Sequence, residues 1–172
     1  MSEKKVGNIT IQDAKLIFKN FQGKETQYNN AGNRNFGVLL DDELAEQLEK
    51  DGWKVRYRNP KEDDPDQYQQ PWLSVKVKFG LYPPIVVLIT SKGKKKLDEE
   101  TIDQLDWSII QTCDLIIKPY HYPAIIGKNK EVIRPGGISA YLKAIYVTIY
   151  EDELALKYGD IPDLDSEEEP FE

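Results

Sequence analysis

Leu73-Ser74-Val75-Lys76-Val77-Lys78-Phe79 alternates apolar and polar side chains without a break. A period of two puts Leu73, Val75, Val77 and Phe79 on one face of an extended strand and Lys76 and Lys78 on the other. Upstream, Trp53-Lys54-Val55-Arg56-Tyr57-Arg58 keeps the same rhythm, with Lys54, Arg56 and Arg58 opposite Trp53, Val55 and Tyr57. Both stretches read as half-buried β-strands with one apolar and one basic face. An acidic, proline-bearing loop from Pro60 to Pro71 separates them. If the two pair with basic faces aligned, like charges oppose each other and something anionic has to offset them. The alternative is that the charges point to solvent and Glu62, Asp63, Asp64 and Asp66 screen them.

Outward from this pair, the chain remains strand-rich. Val6 to Phe21 mixes polar and β-branched residues and reads as one long or bulged strand, closed by Gly23. Asn29 to Asn33 is a turn, and Arg34 to Leu40 a returning strand. Asp41 or Asp42 caps a short helix from Glu43 to Lys50, whose Leu44, Ala45 and Leu48 share a face, and Gly52 ends it. Ile85-Val86-Val87-Leu88-Ile89, following Pro83-Pro84, is apolar on both faces, as a central strand would be. Ser91 to Lys96 is a basic loop, and Asp98 to Leu105 a capped helical turn. Leu115 to Tyr122 and Ile138 to Tyr150 are further strands around a Gly, Lys and Pro loop from Gly127 to Gly137. Six to eight strands with one or two short helices favour a mainly β fold, a small antiparallel barrel or sandwich. Strand and helix do not alternate as an α/β fold requires.

The last twenty-two residues, Glu151 to Glu172, hold ten acidic side chains and one base, Lys157. They carry −9 of the chain's formal −7, so residues 1–150 stand at +2 and the acidity of the whole conceals a slightly basic body. At 172 residues the chain fits one domain, residues 1–150, with an appendage, residues 151–172: a short helix over Glu151 to Tyr158, then a disordered acidic tail without core-forming periodicity. The single cysteine, Cys113, excludes an intrachain disulfide and fits a reducing compartment. Met1 to Lys5 lacks an apolar signal core and no stretch is long and apolar enough to span a membrane, so a cytoplasmic location without membrane association is expected.

Catalysis finds little support. There is one histidine, His121, and no Walker, Gly-x-Ser-x-Gly or Gly-x-Gly-x-x-Gly motif. Asp98-Glu99-Glu100 and Asp63-Asp64-Asp66 have the charge to hold Mg²⁺ for a nuclease, but neighbouring carboxylates at turns more commonly cap backbone amides. Neither an enzyme, nor a cofactor, nor a metal site is expected. Nucleic acid fits better. Ten tyrosines, three tryptophans and five phenylalanines supply flat rings for bases, interleaved with Lys and Arg for phosphates. Lys118, Tyr120 and Tyr122 share one side of an extended segment, and Tyr68, Trp72 and Tyr82 sit in or near loops. Lys92, Lys94, Lys95 and Lys96 form the densest cationic run. Phe36 and Trp107 are the expected core rings, and a ligand role for Tyr141 is not expected, because Ile145, Val147 and Ile149 on its register argue for burial.

Several stretches resemble the single-stranded DNA-binding proteins encoded by bacteriophages and prophages. They include Gly32-Asn33-Arg34-Asn35-Phe36, Asp41-Asp42-Glu43-Leu44-Ala45, Asp51-Gly52-Trp53-Lys54-Val55, Val75-Lys76-Val77-Lys78-Phe79 and Pro83-Pro84. The series continues with Ile89-Thr90-Ser91-Lys92-Gly93, Leu97-Asp98-Glu99-Glu100-Thr101, Leu105-Asp106-Trp107, Asp114-Leu115-Ile116-Ile117 with Pro119-Tyr120, and Ala140-Tyr141-Leu142-Lys143 before Tyr146-Val147-Thr148-Ile149. The resemblance implies an OB-type five-stranded barrel that binds ssDNA without strong sequence preference in phage replication, recombination or repair. Lys54, Arg56, Arg58, Lys76, Lys78, Lys118, Tyr120 and Tyr122 are the expected contacts, followed by Lys92, Lys94 and Arg34.

The tail residues Asp163, Asp165, Glu167, Glu168, Glu169, Pro170 and Phe171 resemble the acidic tips, often closing in Pro-Phe, by which bacterial ssDNA-binding proteins recruit replication and repair partners. Glu172 departs from that pattern, displacing the α-carboxylate by one residue from the ring. A −9 segment is also expected to fold back on the basic groove and compete with DNA at low salt. The body is expected as a monomer or homodimer. The competing reading is a protein-interaction module, or a DNA-mimicking anti-host factor using its acidic surface.

Overall fold

The period-two pattern around Val75 folds as its chemistry dictates, with Leu73, Val75 and Val77 buried and Lys76 exposed. The computed structural model describes residues 6–151. In chain order the strands are β1 (Ile9–Ile11), β2 (Leu16–Asn20), β3 (Arg34–Leu39), β4 (Val55–Tyr57), β5 (Pro71–Val77), β6 (Ile85–Thr90), β7 (Gly93–Leu97), β8 (Ile110–Tyr122), β9 (Ile125–Ile126), β10 (Val132–Arg134) and β11 (Gly137–Ile149). The helices are α1 (Asp42–Asp51) and α2 (Gln104–Trp107), so the fold is mainly β with two short helices. The expected helix from Glu151 to Tyr158 and the acidic tail lie outside the described residues.

One sheet follows the path β1-β8-β11-β5-β3-β2, with β4 added to β5 and β7 to β6. Strand β11 organises it. One edge pairs antiparallel with β8 along nearly its whole length, while the other is divided between β5 and then β6, both parallel. These parallel ladders depart from the antiparallel expectation, because residues far apart in the chain meet on β11. The hydrogen-bonded path is open. Its ends, β1 and β2, are halves of one segment joined by residues 12–15, where Asp13 adopts φ 51. There Ala14 N–H donates to Cys113 O of β8 at 2.7 Å, and Leu39 N–H of β3 donates to Lys15 O at 2.9 Å. The bulged strand expected over Val6 to Phe21 thus serves both ends of the sheet.

Helix α1 starts where Asp41 accepts from Leu44 N–H at 2.7 Å and stops at Gly52, whose φ of 102 suits a residue without Cβ. Ala45 and Leu48 bury its apolar face. Phe36 is buried and stacks on Phe21 at 5.0 Å. Trp107 is not a core ring. It is 68% exposed, because α2 is a single turn whose inward position is filled by fully buried Leu105. Trp53 is the buried tryptophan instead. Two segments read as loops contain strands: Gly93, at φ 126, turns the lysine run into the β6–β7 hairpin, and β10 pairs with β9 in a small arm. Exposed lysines are a usual way for an edge strand to resist further pairing, which suits β7. Strand β6 buries Val86 and Leu88, but leaves Val87 and Ile89 half-buried and Ile85 exposed. Among the described residues no helix is long and apolar enough to cross a membrane.

Candidate nucleic-acid interface

Residues paired across neighbouring strands project from the same face of a sheet. Lys118 of β8 stands opposite Tyr141 of β11, Tyr141 opposite Lys76 of β5, and Lys76 opposite Asn35 of β3. These four side chains form one row across four strands. At about 4.8 Å between strands the row spans about 14 Å. The contacts within and beside it alternate cation with ring. Lys76 Nζ lies 5.8 Å from the centre of the Tyr141 ring, and Tyr120 meets Tyr141 edge-on at 5.7 Å. Further along the same face Arg56 lies over Trp72 at 5.8 Å, Trp72 meets Phe18 at 5.2 Å, and Arg58 lies over Phe18 at 5.7 Å. At the other end Arg134 lies over Tyr122 at 5.1 Å.

Three concavities open along this face, and Tyr141 lines each of them. One, of about 420 Å³, is walled by Lys78, Leu81, Tyr82, Lys118 and Tyr120. The second adds Asn29, Asn35 and Lys76, and the third Lys54, Tyr122 and Arg134. No Asp or Glu lines any of the three. A surface of this composition suits a polyanion carrying flat rings: ammonium and guanidinium groups pair with phosphates, while exposed aromatic faces stack on bases.

The structure brings Lys54, Arg56, Arg58, Lys76, Lys78, Lys118, Tyr120 and Tyr122 onto this face. Their pairing avoids the like-charge opposition considered from sequence, because β4 and β5 are offset so that Arg56 faces Trp72 rather than a lysine. Lys92 and Lys94 lie elsewhere, on the β6–β7 hairpin. Arg34 shares its register with buried Val77, yet it lines the second concavity beside Asn35, Lys76 and Tyr141. Its guanidinium meets the Glu99 carboxylate at 3.6 Å, donates to Glu99 O at 3.3 Å and lies over Phe79 at 5.6 Å.

Tyr141 is the member that sequence reasoning rejected. The β11–β8 register shifts between Leu142 and Ala144, leaving Lys143 as the extra residue of a bulge. Ahead of it Ile138, Ala140 and Leu142 face the core; beyond it Ile145 and Val147 do, so the alternation changes parity and Tyr141 is released to the outer face. Phe18, Trp72, Asn35 and Arg134 also belong to this surface. Tyr68 does not, because its hydroxyl donates to Asp42 at 2.8 Å beside α1, and that bond raises its pKa.

The carboxylate clusters serve turns. Asp98 accepts from Thr101 Oγ1 and from the amides of Glu100 and Thr101, at 2.9–3.0 Å, and the Thr101 bond leads the effects that lower its pKa. Asp64 accepts from the amides of Asp66 and Tyr68. Among the described residues no group of three or more His, Cys, Asp or Glu is arranged to hold a metal ion. Burial pushes the Cys113 thiol up to about 12, which keeps it protonated at neutral pH.

Residues 1–170 match a family model described as "Putative phage ssDNA-binding domain". No curated protein matches the chain in sequence. Among solved structures, it is similar to the single-stranded DNA-binding protein from bacteriophage Enc34, with 12% identity over 97% of each chain and a TM-score of 0.48. The Enc34 protein in complex with ssDNA gives 14% identity over 87% of this chain and 95% of that one, also at 0.48. The single-stranded DNA-binding protein gp2.5 of bacteriophage T7 gives 9% identity over 94% and 98%, at 0.41. Likeness at this level assigns no residue a role.

Proposed function

Because the chain belongs to the phage ssDNA-binding domain family, we propose that the row Lys118, Tyr141, Lys76 and Asn35 floors a groove that holds single-stranded DNA without sequence preference. The observation that carries this reading is the row itself: cations on both sides of an outward aromatic ring, on a face whose concavities no carboxylate lines. Lys54, Arg56, Arg58, Lys76, Lys78 and Lys118 neutralise phosphates and release the counterions condensed on them, so affinity falls as salt rises. Tyr120, Tyr122 and Tyr141 stack on bases, and stacking is sequence-tolerant because every base has a π face. A duplex keeps its bases stacked internally and cannot use these rings. The reading gives the protein a stoichiometric role, protecting and presenting single strands in phage replication, recombination or repair within the bacterial host cytoplasm.

In this reading residues 1–150 bind DNA and residues 151–172 regulate. The −9 tail competes with phosphates for the cationic body and, when released, offers Phe171 and its acidic neighbours to a basic, apolar pocket on a replication or recombination protein. The test is substitution within the groove. Arg56→Ala and Lys76→Ala are each expected to weaken binding to oligo-dT and to reduce the slope of log affinity against log salt by about 0.7. Unchanged affinity and slope in both variants would remove the groove from this face.

A further inference from the structure

Phe18 holds a backbone conformation that its side chain does not favour. Its φ of 51 lies in the left-handed region, which a bulky aromatic residue rarely enters. The cause is a bulge in β2: Ile17 pairs with Gly37 and Asn20 with Asn35, so Phe18 and Lys19 together oppose Phe36. The residues that follow keep the chain in this form. Lys19 Nζ donates to Leu105 O at 2.8 Å and to Ser108 O at 2.9 Å, while the Asp106 carboxylate accepts from the amides of Phe21 and Gln22 at 2.8 and 2.9 Å. Phe18 itself gains little, since its side chain is 60% exposed. Strain imposed by the surroundings, at a ring that does not offset it by burial, points to a use outside the fold.

That ring is one half of a paired platform. Phe18 meets Trp72 at 5.2 Å with 65° between the ring planes, and Trp72 lies against Gly37, where a Cβ would stand 2.8 Å from its ring. Arg58 lies over Phe18 at 5.7 Å and Arg56 over Trp72 at 5.8 Å; among the described residues neither guanidinium is in an ion pair. We propose that Phe18 and Trp72 form a second base-binding subsite, separate from the Lys118-Tyr141-Lys76-Asn35 row, and that the bulge in β2 serves to present Phe18 there. This subsite rests on the reading above that the face holds single-stranded DNA, and it adds the place where a further base is gripped. On binding, each guanidinium passes from its ring to a phosphate and leaves the ring's face to a base, so both find partners on the same strand. Trp72 lies four residues from Lys76 along β5, about 13 Å, so no one base serves both places. At about 3.4 Å per stacked nucleotide the gap takes about four nucleotides, and only longer strands engage the row and the platform together.

Two measurements on the full chain test the subsite. Photo-crosslinking to long oligo-dT carrying iododeoxyuridine, followed by peptide mapping, is expected to give adducts on Phe18 or Trp72 as well as on the groove tyrosines. Phe18→Gly removes the ring and suits the positive φ. It is expected to weaken binding of long oligo-dT by about 5- to 150-fold, the span of one lost base stack, with the salt slope unchanged and a melting temperature no lower than the parent's. Phe18→Tyr keeps the ring and is expected to retain most of the affinity. Adducts confined to Tyr120, Tyr122 and Tyr141, parental affinity in Phe18→Gly, or an affinity loss there that comes with a lower melting temperature, would overturn the second subsite. A parent chain that binds oligo-dT and gives one of these results loses only this inference, while a parent chain without affinity for oligo-dT loses the reading on which it rests.

Discussion

Tyr141, half-buried, owes its place on the outer face to a neighbour two positions away. Strict alternation from Ile149 backwards through Val147 and Ile145 assigns it to the core, and the extra residue at Lys143 reverses that assignment. Parity along a strand is readable only while the register holds, and nothing in Ala140-Tyr141-Leu142-Lys143 marks the bulge. Lys54, Arg56, Lys76 and Lys78 were legible because their alternation is unbroken and β5 retains it. The direction in which Arg34 leaves β3 was not, since it depends on which β5 residue it faces. In the proposed groove, a central ring between two cations is expected to be the most sensitive single position. Tyr141→Ala is expected to cost about 1–3 kcal/mol of oligo-dT binding, measured by anisotropy, whereas Tyr141→Phe keeps the stacking surface and most of the affinity. Equal affinity in the alanine variant and the parent would take Tyr141 out of the contact.

Elements announced by local chemistry were legible from sequence. Asp41 and Gly52 bracket α1 through a side-chain cap and a left-handed residue, both short-range effects. The β7 segment was read as a loop because lysines disfavour strand by composition, although they suit an edge. Gly37 illustrates a tertiary requirement that sequence conceals: a Cβ there would stand 2.8 Å from both Ile17 and the Trp72 ring, so β2 and β5 close over it. The bulge in β11 is the element-level device that puts Tyr141 in the outer row, and its removal distinguishes register from side chain. Deleting Lys143 forces one half of β11 to turn its apolar residues outward, and is expected to abolish the cooperative thermal transition seen by circular dichroism. Lys143→Ala keeps the residue count and is expected to melt with the parent. A deletion variant that melts like the parent would show that the parity change does not depend on the extra residue.

At the scale of the molecule, strand content and charge division were readable because both are sums over the chain. The pairing order was not, since β11 meets β5 and β6 across more than fifty residues of sequence and local pattern carries no record of such contacts. The same long-range pairing assembles the proposed groove: β8, β11, β5 and β3 contribute one residue each to the row, and no segment holds it alone. In the function proposed above, this cationic face works against an acidic segment of the same chain. Anisotropy titration of labelled oligo-dT and a matched duplex, in moderate and in high salt, with the full chain and with residues 159–172 removed, measures this directly. The expected result is preference for the single strand, a steep loss with salt, and equal or tighter binding without the tail; absent binding or preference for the duplex would contradict the account.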